Sequence, residues 1–326
     1  MEISVLTAVY NGEEYLKESI ESILKQTFPH FEYIIVNDGS DDKTKEILDS
    51  ITDPRVKVFH LEKNVGAANA LNIGISQARG KWIALQDADD ISIENRLQIQ
   101  LQYIQSDSGL VAVGSLVQCI PGNDQVDQSS LKESESFFNR DNFRNDIFGS
   151  TPICNGTGFF LKSAYEKIGG YDPTFKIAYD TDLWTRMLEV GEISRCPEVL
   201  YKYRVHKNSL SHNDIFAMDK EHLLCTFKNI AGLRFNNLNR KPKMLMISTH
   251  KRFEYYRKNF EDENRYLMIS FLGLGLKNAR KAYSLYQSNE IDGILLVSRR
   301  RSLLRFFTRK GLLLGGNLFK INIWIH

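Results

Sequence analysis

The first third of the chain alternates short apolar runs with segments in which apolar residues recur at helical spacing. Residues 3–9 form one such run, and Leu16, Ile20 and Ile23 mark the segment that follows it. Short apolar runs predict strands buried on both faces, whereas the helical spacing predicts amphipathic helices. The predicted strands are 3–9, 31–36, 55–60 and 81–86, and the predicted helices are 14–25, 41–48 and 67–78.

Strands that alternate with single helices are typical of an α/β fold with a mainly parallel sheet and right-handed crossovers. Ligands of such sheets bind at the carboxyl ends of the strands, near the point where the strand order reverses. Asp38 follows the second predicted strand, and Asp87 and Asp89 follow the fourth. The glycine fingerprint of dinucleotide folds is absent after the first strand, where residues 10–14 read YNGEE. This absence argues against a nicotinamide cofactor.

Beyond the fourth strand the pattern is less regular. It predicts a helix at 92–105, a strand at 111–117, a polar loop at 121–135, a strand at 158–161, a helix at 182–190 and a short strand at 199–204. From residue 211 to about 287 the pattern is helical and basic. We therefore expect a parallel sheet flanked by helices, followed by a mostly helical, basic C-terminal extension.

Charge divides the chain into the same two parts. Residues 1–212 contain 21 Lys and Arg against 31 Asp and Glu, whereas residues 213–326 contain 21 against 9. An acidic body argues against nucleic-acid binding, and a basic tail suits a membrane surface, a polyanion or an acidic partner. We expect a catalytic domain at 1–212 and a basic region at 213–326.

The cysteines and the apolar segments bear on the compartment. Cys119, Cys154, Cys196 and Cys225 lie far apart with no CxxC pair, so neither a zinc motif nor a disulfide framework is indicated. The first residues enter a strand directly and lack the pattern of a secretory signal. We also find no window apolar enough for a membrane-spanning helix. The sequence therefore predicts a cytoplasmic protein.

The segment QDADD at residues 86–90 carries the strongest chemical signal. Side chains two apart on a strand share a face, so the pattern predicts that Asp87 and Asp89 point the same way. Crowded carboxylates repel each other, and a hard divalent cation such as Mg²⁺ or Mn²⁺ relieves the repulsion while keeping positions open for phosphate oxygens. Asp90 is interpreted differently, as the start of the next helix, with Ser92 as its cap.

Six motifs in order resemble the family 2 inverting glycosyltransferases, whose catalytic domain has the GT-A fold. The resemblance covers about residues 2–212. The motifs are VLTAVYNG at 5–12, VNDGS at 36–40, NVG at 64–66 with ALN at 70–72, QDADD at 86–90, GGYD at 169–172 with DTDLWTR at 180–186, and YRVHKNS at 203–209.

The resemblance implies roles in nucleotide binding for several residues. The loop around Thr7, Ala8 and Tyr10 would frame the nucleotide, Asp38 would contact the base, and Asp87 would lie near the ribose. Asn64 belongs to the third motif and is assigned to the nucleotide as well. Many members carry Arg where this chain has Leu71, so a base or phosphate contact is either missing or supplied from elsewhere.

The resemblance also implies the catalytic residues. Asp89 would hold the Mn²⁺ or Mg²⁺ that bridges the donor diphosphate, with Arg204 and His206 near the diphosphate or the metal. Asp180 would be the general base. Many members carry an acidic residue before this base, and here that position is Tyr179.

Other roles remain open for these residues. Asp180 could cap a helix, Asp38 could be a turn residue, and His206 could be an ordinary histidine. Asp182 is a weaker candidate for the base than Asp180, because its spacing from Arg186 favours an ion pair on a helix.

We expect a metal-dependent inverting glycosyltransferase that moves a sugar from a nucleotide-diphosphate donor, with uridine the favoured nucleotide. The acceptor would be a hydroxyl of a saccharide or a lipid-linked molecule in surface polysaccharide or glycolipid assembly. Two alternatives stay open: a sugar nucleotidyltransferase, and a sugar-nucleotide-binding scaffold without transfer activity.

The basic tail beyond about residue 290 has two interpretations. Apolar runs at 294–297 and 312–314 alternate with basic clusters, a pattern typical of a helix in a membrane interface. The same pattern suits a packed extension or a contact in a homo-oligomer. The first interpretation predicts peripheral attachment at the inner face of the plasma membrane.

Overall fold

The computed structural model describes residues 1–123, 128–139, 148, 153–207, 215–298 and 300–321. The chain forms two compact units. The first unit comprises Met1–Asp141 and Pro152–Asn213, and the second comprises Asn142–Thr151 and Asp214–His326. Among the described residues, no helix combines the length and the apolar character needed to cross a membrane.

The first unit is an eight-stranded mixed sheet with flanking helices. Its strands are β1 Ile3–Val9, β2 Phe31–Asn37, β3 Val56–His60, β4 Trp82–Leu85, β5 Ile91–Ser92, β6 Leu110–Pro121, β7 Phe159–Leu161 and β8 Glu192–Val205. Its helices are α1 Leu16–Leu24, α2 Thr44–Asp49, α3 Ala67–Gln77, α4 Arg96–Gln105, α5 Gln128–Phe138, α6 Lys162–Lys167 and α7 Tyr179–Met187. The strand order is β3-β2-β1-β4-β7-β6-β8-β5.

The parallel half of this sheet confirms the α/β fold expected from the apolar runs. β1 pairs in parallel with both β2 and β4, and β2 pairs in parallel with β3. All seven residues of β2 and all four of β4 are buried, because helices cover both faces of a parallel sheet. The strand order reverses between β1 and β4, so the carboxyl ends of these strands form the edge at which ligands are expected.

Three predicted elements of the first unit need correction. The helix expected from residue 92 begins at Arg96, because Ser92 lies in β5 and pairs with Tyr201 of β8. The polar segment 121–135 was predicted as a loop, but α5 begins within it at Gln128, while residues 124–127 lie outside the described part. The last strand begins at Glu192, well before the predicted residue 199.

The second unit contains a parallel sheet that the sequence pattern did not predict. Its strands are β9 Lys243–Ser248, β10 Met268–Gly273, β11 Gly293–Leu296 and β12 Leu318–Lys320, in the order β10-β9-β11-β12. Its helices are α8 Ile215–Arg234, α9 His250–Phe260, α10 Leu276–Gln287 and α11 Arg301–Arg309. The expectation of a helical run from 211 to about 287 is therefore wrong, since β9 and β10 interrupt it.

The core of the second unit also corrects the interpretation of the tail. Met244 and Met246 of β9 pack on one face of the sheet with Phe227, whereas Leu245 and Ile247 pack on the other. The apolar run 294–297 is completely buried as β11 and the residue after it, so it does not form a membrane-facing helix. An apolar run of this length cannot be assigned to strand or helix from periodicity alone.

Candidate functional site

Asp87 and Asp89 lie in a turn at the carboxyl edge of the first sheet. β4 ends at Leu85, so the strand alternation that predicted a shared face does not apply to them. The two carboxylates nevertheless interact. Burial, the charge of Asp89 and the charge of Asp180 raise the pKa of Asp87 to about 7. The structure therefore gathers these three carboxylates in one acidic cluster.

Asp180 joins this cluster from the start of α7. Its Oδ1 accepts a hydrogen bond of 2.6 Å from the backbone N–H of Thr181. Ala178, not Asp180, is the N-cap residue of the helix, and it makes no side-chain cap. Asp180 lies in the first turn, where the helix dipole favours a negative charge. This position directs a carboxylate toward Asp87 from a second element.

The neighbouring Asp182 has the structural role that its spacing predicted. Its Oδ2 accepts a 2.8 Å hydrogen bond from Nε of Arg186. The guanidinium of Arg186 also donates to the carbonyl oxygens of Ile168 and Gly170, at 2.7 Å each. Asp182 is completely buried, so this pair fixes the double-glycine turn against α7.

Asp89 contacts His206, although 117 residues separate them in the chain. The Oδ2 of Asp89 lies 2.9 Å from Nε2 of His206. The imidazole is buried, and its Nδ1 has no hydrogen-bond partner in the described part of the chain. The Asp89 side chain is 36% exposed, so the carboxylate is accessible from the edge. The structure thus brings together the two residues predicted to bind the metal.

Arg204 is close to Asp89, but its guanidinium is already engaged. Its Nε donates to the Asp89 carbonyl oxygen at 2.7 Å, and its Nη2 donates to Glu18 at 2.6 Å. The guanidinium also lies over the ring of Tyr15, 4.5 Å from the ring centre. These contacts hold the turn that carries Asp89, and the contact of Arg204 with the diphosphate stays a prediction.

Asp90 belongs to the cluster, which corrects its interpretation as a helix start. It is 1% exposed, and its Oδ1 accepts a 2.7 Å hydrogen bond from the backbone N–H of Arg204. Its Oδ2 has no partner among the described residues. Burial and the charges of Asp89 and Asp87 raise its pKa well above the usual value. The buried environment of Asp90 depends on β8, which lies far along the chain, so the local sequence could not predict it.

Asp38 is buried at the end of β2 and holds the loop before α3. Its two carboxylate oxygens accept hydrogen bonds from the backbone N–H groups of Val65, at 2.7 Å, and Gly66, at 3.0 Å. The side-chain oxygen of Asn64 accepts from the same Gly66 N–H at 3.1 Å. Gly66 has a φ of 89°, which favours glycine. Asp38 and Asn64 therefore shape one loop at the predicted nucleotide edge.

The three residues predicted to frame the nucleotide at the first-strand loop differ in their exposure to solvent. The Thr7 side chain is completely buried, with its hydroxyl 2.9 Å from the Tyr33 hydroxyl and donating to the Gln86 carbonyl oxygen at 2.8 Å. Thr7 therefore ties β1 to the end of β4. Ala8 is half-buried, and Tyr10 is 50% exposed, so these two present surface for a ligand.

Gly156 is a site residue that the sequence analysis missed. Its backbone N–H donates to the carboxylate of Asp87. A Cβ at this position would lie 2.5 Å from Oδ2 of Asp87 and would also clash with the Tyr201 hydroxyl. No local pattern marks this glycine, because its neighbours come from the turn after β4 and from β8.

Arg96 was also missed, and it lies completely buried behind the cluster. Its guanidinium donates to Ser92 and to the Leu85 carbonyl oxygen at 2.8 Å each, and lies over the Tyr201 ring. Its positive charge opposes the rise in the pKa of Asp87. The buried positive charge of Arg96 therefore offsets part of the repulsion among the acidic residues of the cluster.

The acidic edge offers part of a binding site for a hard divalent cation. Among the described residues, no group of three or more His, Cys, Asp or Glu side chains is arranged as a complete metal site. Asp89 and His206 supply one oxygen and one nitrogen. Mg²⁺-like cations in phosphate-transfer sites commonly use one or two protein ligands and take the rest from water and substrate phosphates. The pair is compatible with that arrangement.

Comparison with known proteins gives a consistent result. Residues 4–169 match the family described as Glycosyl transferase family 2. An uncharacterized glycosyltransferase of Haemophilus influenzae is 32% identical over 216 residues, which cover 64% of this chain and 67% of that protein. The putative teichuronic acid biosynthesis glycosyltransferase TuaG of Bacillus subtilis is 29% identical over 72% of this chain and 90% of its own length.

Solved structures are similar in fold. TarS of S. aureus, residues 1–349 in complex with UDP-GlcNAc, has a TM-score of 0.57 and 20% identity, covering 71% of this chain and 66% of that solved chain. The mannosyltransferase PcManGT of Pyrobaculum calidifontis, in complex with GDP-Man and Mn²⁺, has a TM-score of 0.55 and 16% identity, covering 96% and 81%. Together these similarities confirm the GT-A fold that the sequence motifs implied.

Proposed function

Because the chain belongs to glycosyl transferase family 2, we propose that its acidic edge transfers a sugar, with inversion, from a UDP-linked donor to an acceptor hydroxyl. The observation that carries this proposal is the convergence of Asp87, Asp89 and Asp180 from two separate elements. The complex of TarS with UDP-GlcNAc supports the choice of a uridine donor. The GDP-Man complex of PcManGT keeps a guanosine donor as the alternative.

The donor would bind at the carboxyl ends of β1, β2 and β4. Ala8 and Tyr10 offer accessible surface for the nucleotide, and the loop held by Asp38 forms the adjacent wall. Thr7 and Asp38 act through their hydrogen bonds to the surrounding backbone, since both side chains are buried. Asp87 precedes Asp89 in the turn after β4, and we propose that it contacts the ribose, which joins the base to the diphosphate.

Asp89 and His206 would hold a Mn²⁺ or Mg²⁺ ion beside the diphosphate. When bound, such a cation supplies Lewis-acid stabilisation of the leaving diphosphate. Arg204 keeps the Asp89 turn in position through Glu18 and Tyr15. The ion in the PcManGT complex supports Mn²⁺ as the cation to test first.

Asp180 would accept the proton of the attacking hydroxyl. A single carboxylate within hydrogen-bond reach of the acceptor is sufficient for this step. With one base and attack from the face opposite the leaving group, the anomeric centre inverts and no sugar–enzyme bond forms. The relative TuaG, named for teichuronic acid biosynthesis, supports an acceptor in surface polysaccharide assembly, either a saccharide or a lipid-linked molecule.

The test is a transfer assay with UDP-sugars and Mn²⁺ in the parent and in Asp180→Asn. We expect Asp180→Asn to reduce the transfer rate by about 10²- to 10⁴-fold, because it removes general-base catalysis while keeping the side-chain shape. UDP affinity should remain within about twofold of the parent, since the proposal assigns Asp180 to the acceptor and not to the nucleotide. Asp107→Asn, at an exposed turn of the same unit, is the matched control.

Two outcomes would overturn the proposal. Full transfer activity in Asp180→Asn would remove the base assignment. A parent protein that binds UDP but neither transfers nor hydrolyses any sugar of a broad UDP- and GDP-sugar panel would instead favour the non-catalytic scaffold.

A further inference from the structure

The second unit has a carboxyl edge of its own. Its chain winds from β9 to β10 on one side and from β11 to β12 on the other, so the strand order reverses between β9 and β11. In parallel sheets of this order, ligands bind at the carboxyl ends of these two central strands. We call the described residues that leave this edge the basic edge. They are 248–252, 273–277, 297–298 and 300–301.

The two edges of this sheet differ in charge. The basic edge contains no acidic residue. Its basic residues are His250, Lys251, Arg252, Lys277, Arg300 and Arg301. The opposite, amino edge is mixed in charge, because the acidic residues Glu261, Asp262, Glu263, Glu290 and Asp292 precede strands there together with the basic residues Arg240, Lys241 and Arg265. A field of this polarity attracts anions to the basic edge.

Three helices, α9, α10 and α11, begin at the basic edge. Two of them, α9 and α11, each begin with two or more basic residues that no acidic residue compensates. Neither α9 nor α11 has an acidic residue in its first turn. Lys251, Arg252, Arg300 and Arg301 form no ion pair within the described part of the chain. Cations at a helix N-terminus oppose the helix dipole and are unfavourable. A bound anion would reverse that penalty at both helices.

Ser248 provides an independent observation at the same position. It is the last residue of β9, it is completely buried, and its hydroxyl has no hydrogen-bond partner among the described residues. Gly273 of β10 lies opposite it, and Val297 follows on the β11 side. The next residue, Thr249, is the N-cap of α9. An unpaired hydroxyl is thus held where the central strands end and a helix begins.

We propose that the basic edge binds a phosphate group of a small ligand or of a lipid headgroup. The Ser248 hydroxyl and the free backbone N–H groups at the start of α9 would donate hydrogen bonds to it. Lys251 and Arg252 would neutralise it from α9, and Arg300 and Arg301 from α11. Gly275, where an added Cβ would meet nothing within 4 Å, leaves open space beside the site.

The direct test is calorimetric titration of the full chain with inorganic pyrophosphate. EDTA in the buffer prevents metal-dependent binding at the acidic edge of the first unit. We expect saturable binding that Arg252→Ala and Arg301→Ala each weaken by about tenfold, because each removes a charge-assisted contact. Lys258→Ala, an exposed cation near the other end of α9, is the matched control and should not change the affinity.

Ser248→Ala separates binding from stability. Its pyrophosphate affinity should fall, while its Tm should stay equal or rise, because the buried hydroxyl is unpaired in the free protein. A second arm measures cosedimentation with phosphatidic acid vesicles and with phosphatidylcholine vesicles. Binding to the former that Arg301→Ala reduces identifies a lipid headgroup, whereas binding of pyrophosphate alone identifies a soluble ligand.

Two results would overturn the proposal. One is the absence of binding in both arms. The other is binding that Ser248→Ala, Arg252→Ala and Arg301→Ala leave as strong as the parent.

Discussion

The two sheets of this chain end in carboxyl edges of opposite charge. The first edge gathers Asp87, Asp89 and Asp90, whereas the second presents Lys251 and Arg301. Parallel topology makes both edges suitable for ligands, but side-chain charge decides how an anion can be held. An acidic edge needs a cation between itself and a diphosphate, and such an arrangement suits catalysis. A basic edge binds phosphate directly and suits recognition.

A second contrast lies within the first sheet. Asp87 and Glu32 are both acidic residues of the parallel half, but their pKa values move in opposite directions. Burial and the negative charges of Asp89 and Asp180 outweigh the positive charge of Arg96, and the pKa of Asp87 rises to about 7. Glu32 is held by hydrogen bonds from Lys57 and Arg79, and its pKa falls to about 2. Glu32 stabilises the fold because basic side chains pair with its charge. Asp87 lacks such a pairing and lies at the edge where we propose that the donor binds.

The largest effect on ligand affinity is expected from removing Asp89, the proposed metal ligand of the acidic edge. Asp89→Ala leaves His206 without its carboxylate partner, and we expect Mn²⁺-dependent UDP affinity to fall by about 10- to 100-fold. Titration of UDP with and without Mn²⁺ measures this loss. Metal-independent UDP binding should be unchanged, and an unaltered Mn²⁺ requirement would count against Asp89 as a ligand.

The next prediction concerns Glu32 and the pH dependence of the free energy of unfolding. A folded-state pKa below the unfolded value stabilises the protein above the unfolded pKa, and this contribution disappears as the pH falls through the folded pKa. For Glu32 the loss should run from about pH 4.5 to about pH 2. Glu32→Gln should therefore lower the free energy of unfolding by about 3 kcal/mol at pH 7. The difference from the parent should shrink as the pH falls.

Urea unfolding at pH 7, 5 and 3.5 measures this dependence. Glu46→Gln, at an exposed position of α2, is the control and should show little difference at any of these pH values. An equal deficit for Glu32→Gln at all three would show that lost packing, not charge, accounts for it.

The smallest expected effect is steric. Gly156→Ala places a methyl group against Asp87 and Tyr201, and we expect a loss of about 1–3 kcal/mol in unfolding free energy. Transfer activity should fall as well, because Asp87 must shift. Gly232→Ala, where an added Cβ meets nothing within 4 Å, is the control. Normal stability and activity in Gly156→Ala would mean that the Asp87 turn tolerates displacement.

The sequence predicted the parallel half of the first sheet because its signals are local. Residues 3–9 and 31–36 are apolar runs followed by helical periodicity, and the aspartates stand directly after strands. Asp90, Arg96 and Gly156 could not be assigned in this way. Their environment depends on β8 and on the turn before β7, which return to β4 from more than sixty residues away.

The second sheet was missed for a different reason. Residues 244–247 and 294–296 are short apolar runs, and such runs fit a buried strand or part of a buried helix equally well. Only the pairing of β9 with β10 and β11 decides between them. The basic edge therefore became visible only in three dimensions.

The most direct test of the central claim is anomalous diffraction from crystals of the chain grown with UDP and Mn²⁺. The account predicts an anomalous peak within about 2.3 Å of an Asp89 carboxylate oxygen, with the UDP diphosphate as a further ligand. Asp180 should border the open side of the same site. A Mn²⁺ peak remote from Asp89, with UDP bound away from the carboxyl edge of β1 and β4, would contradict the account.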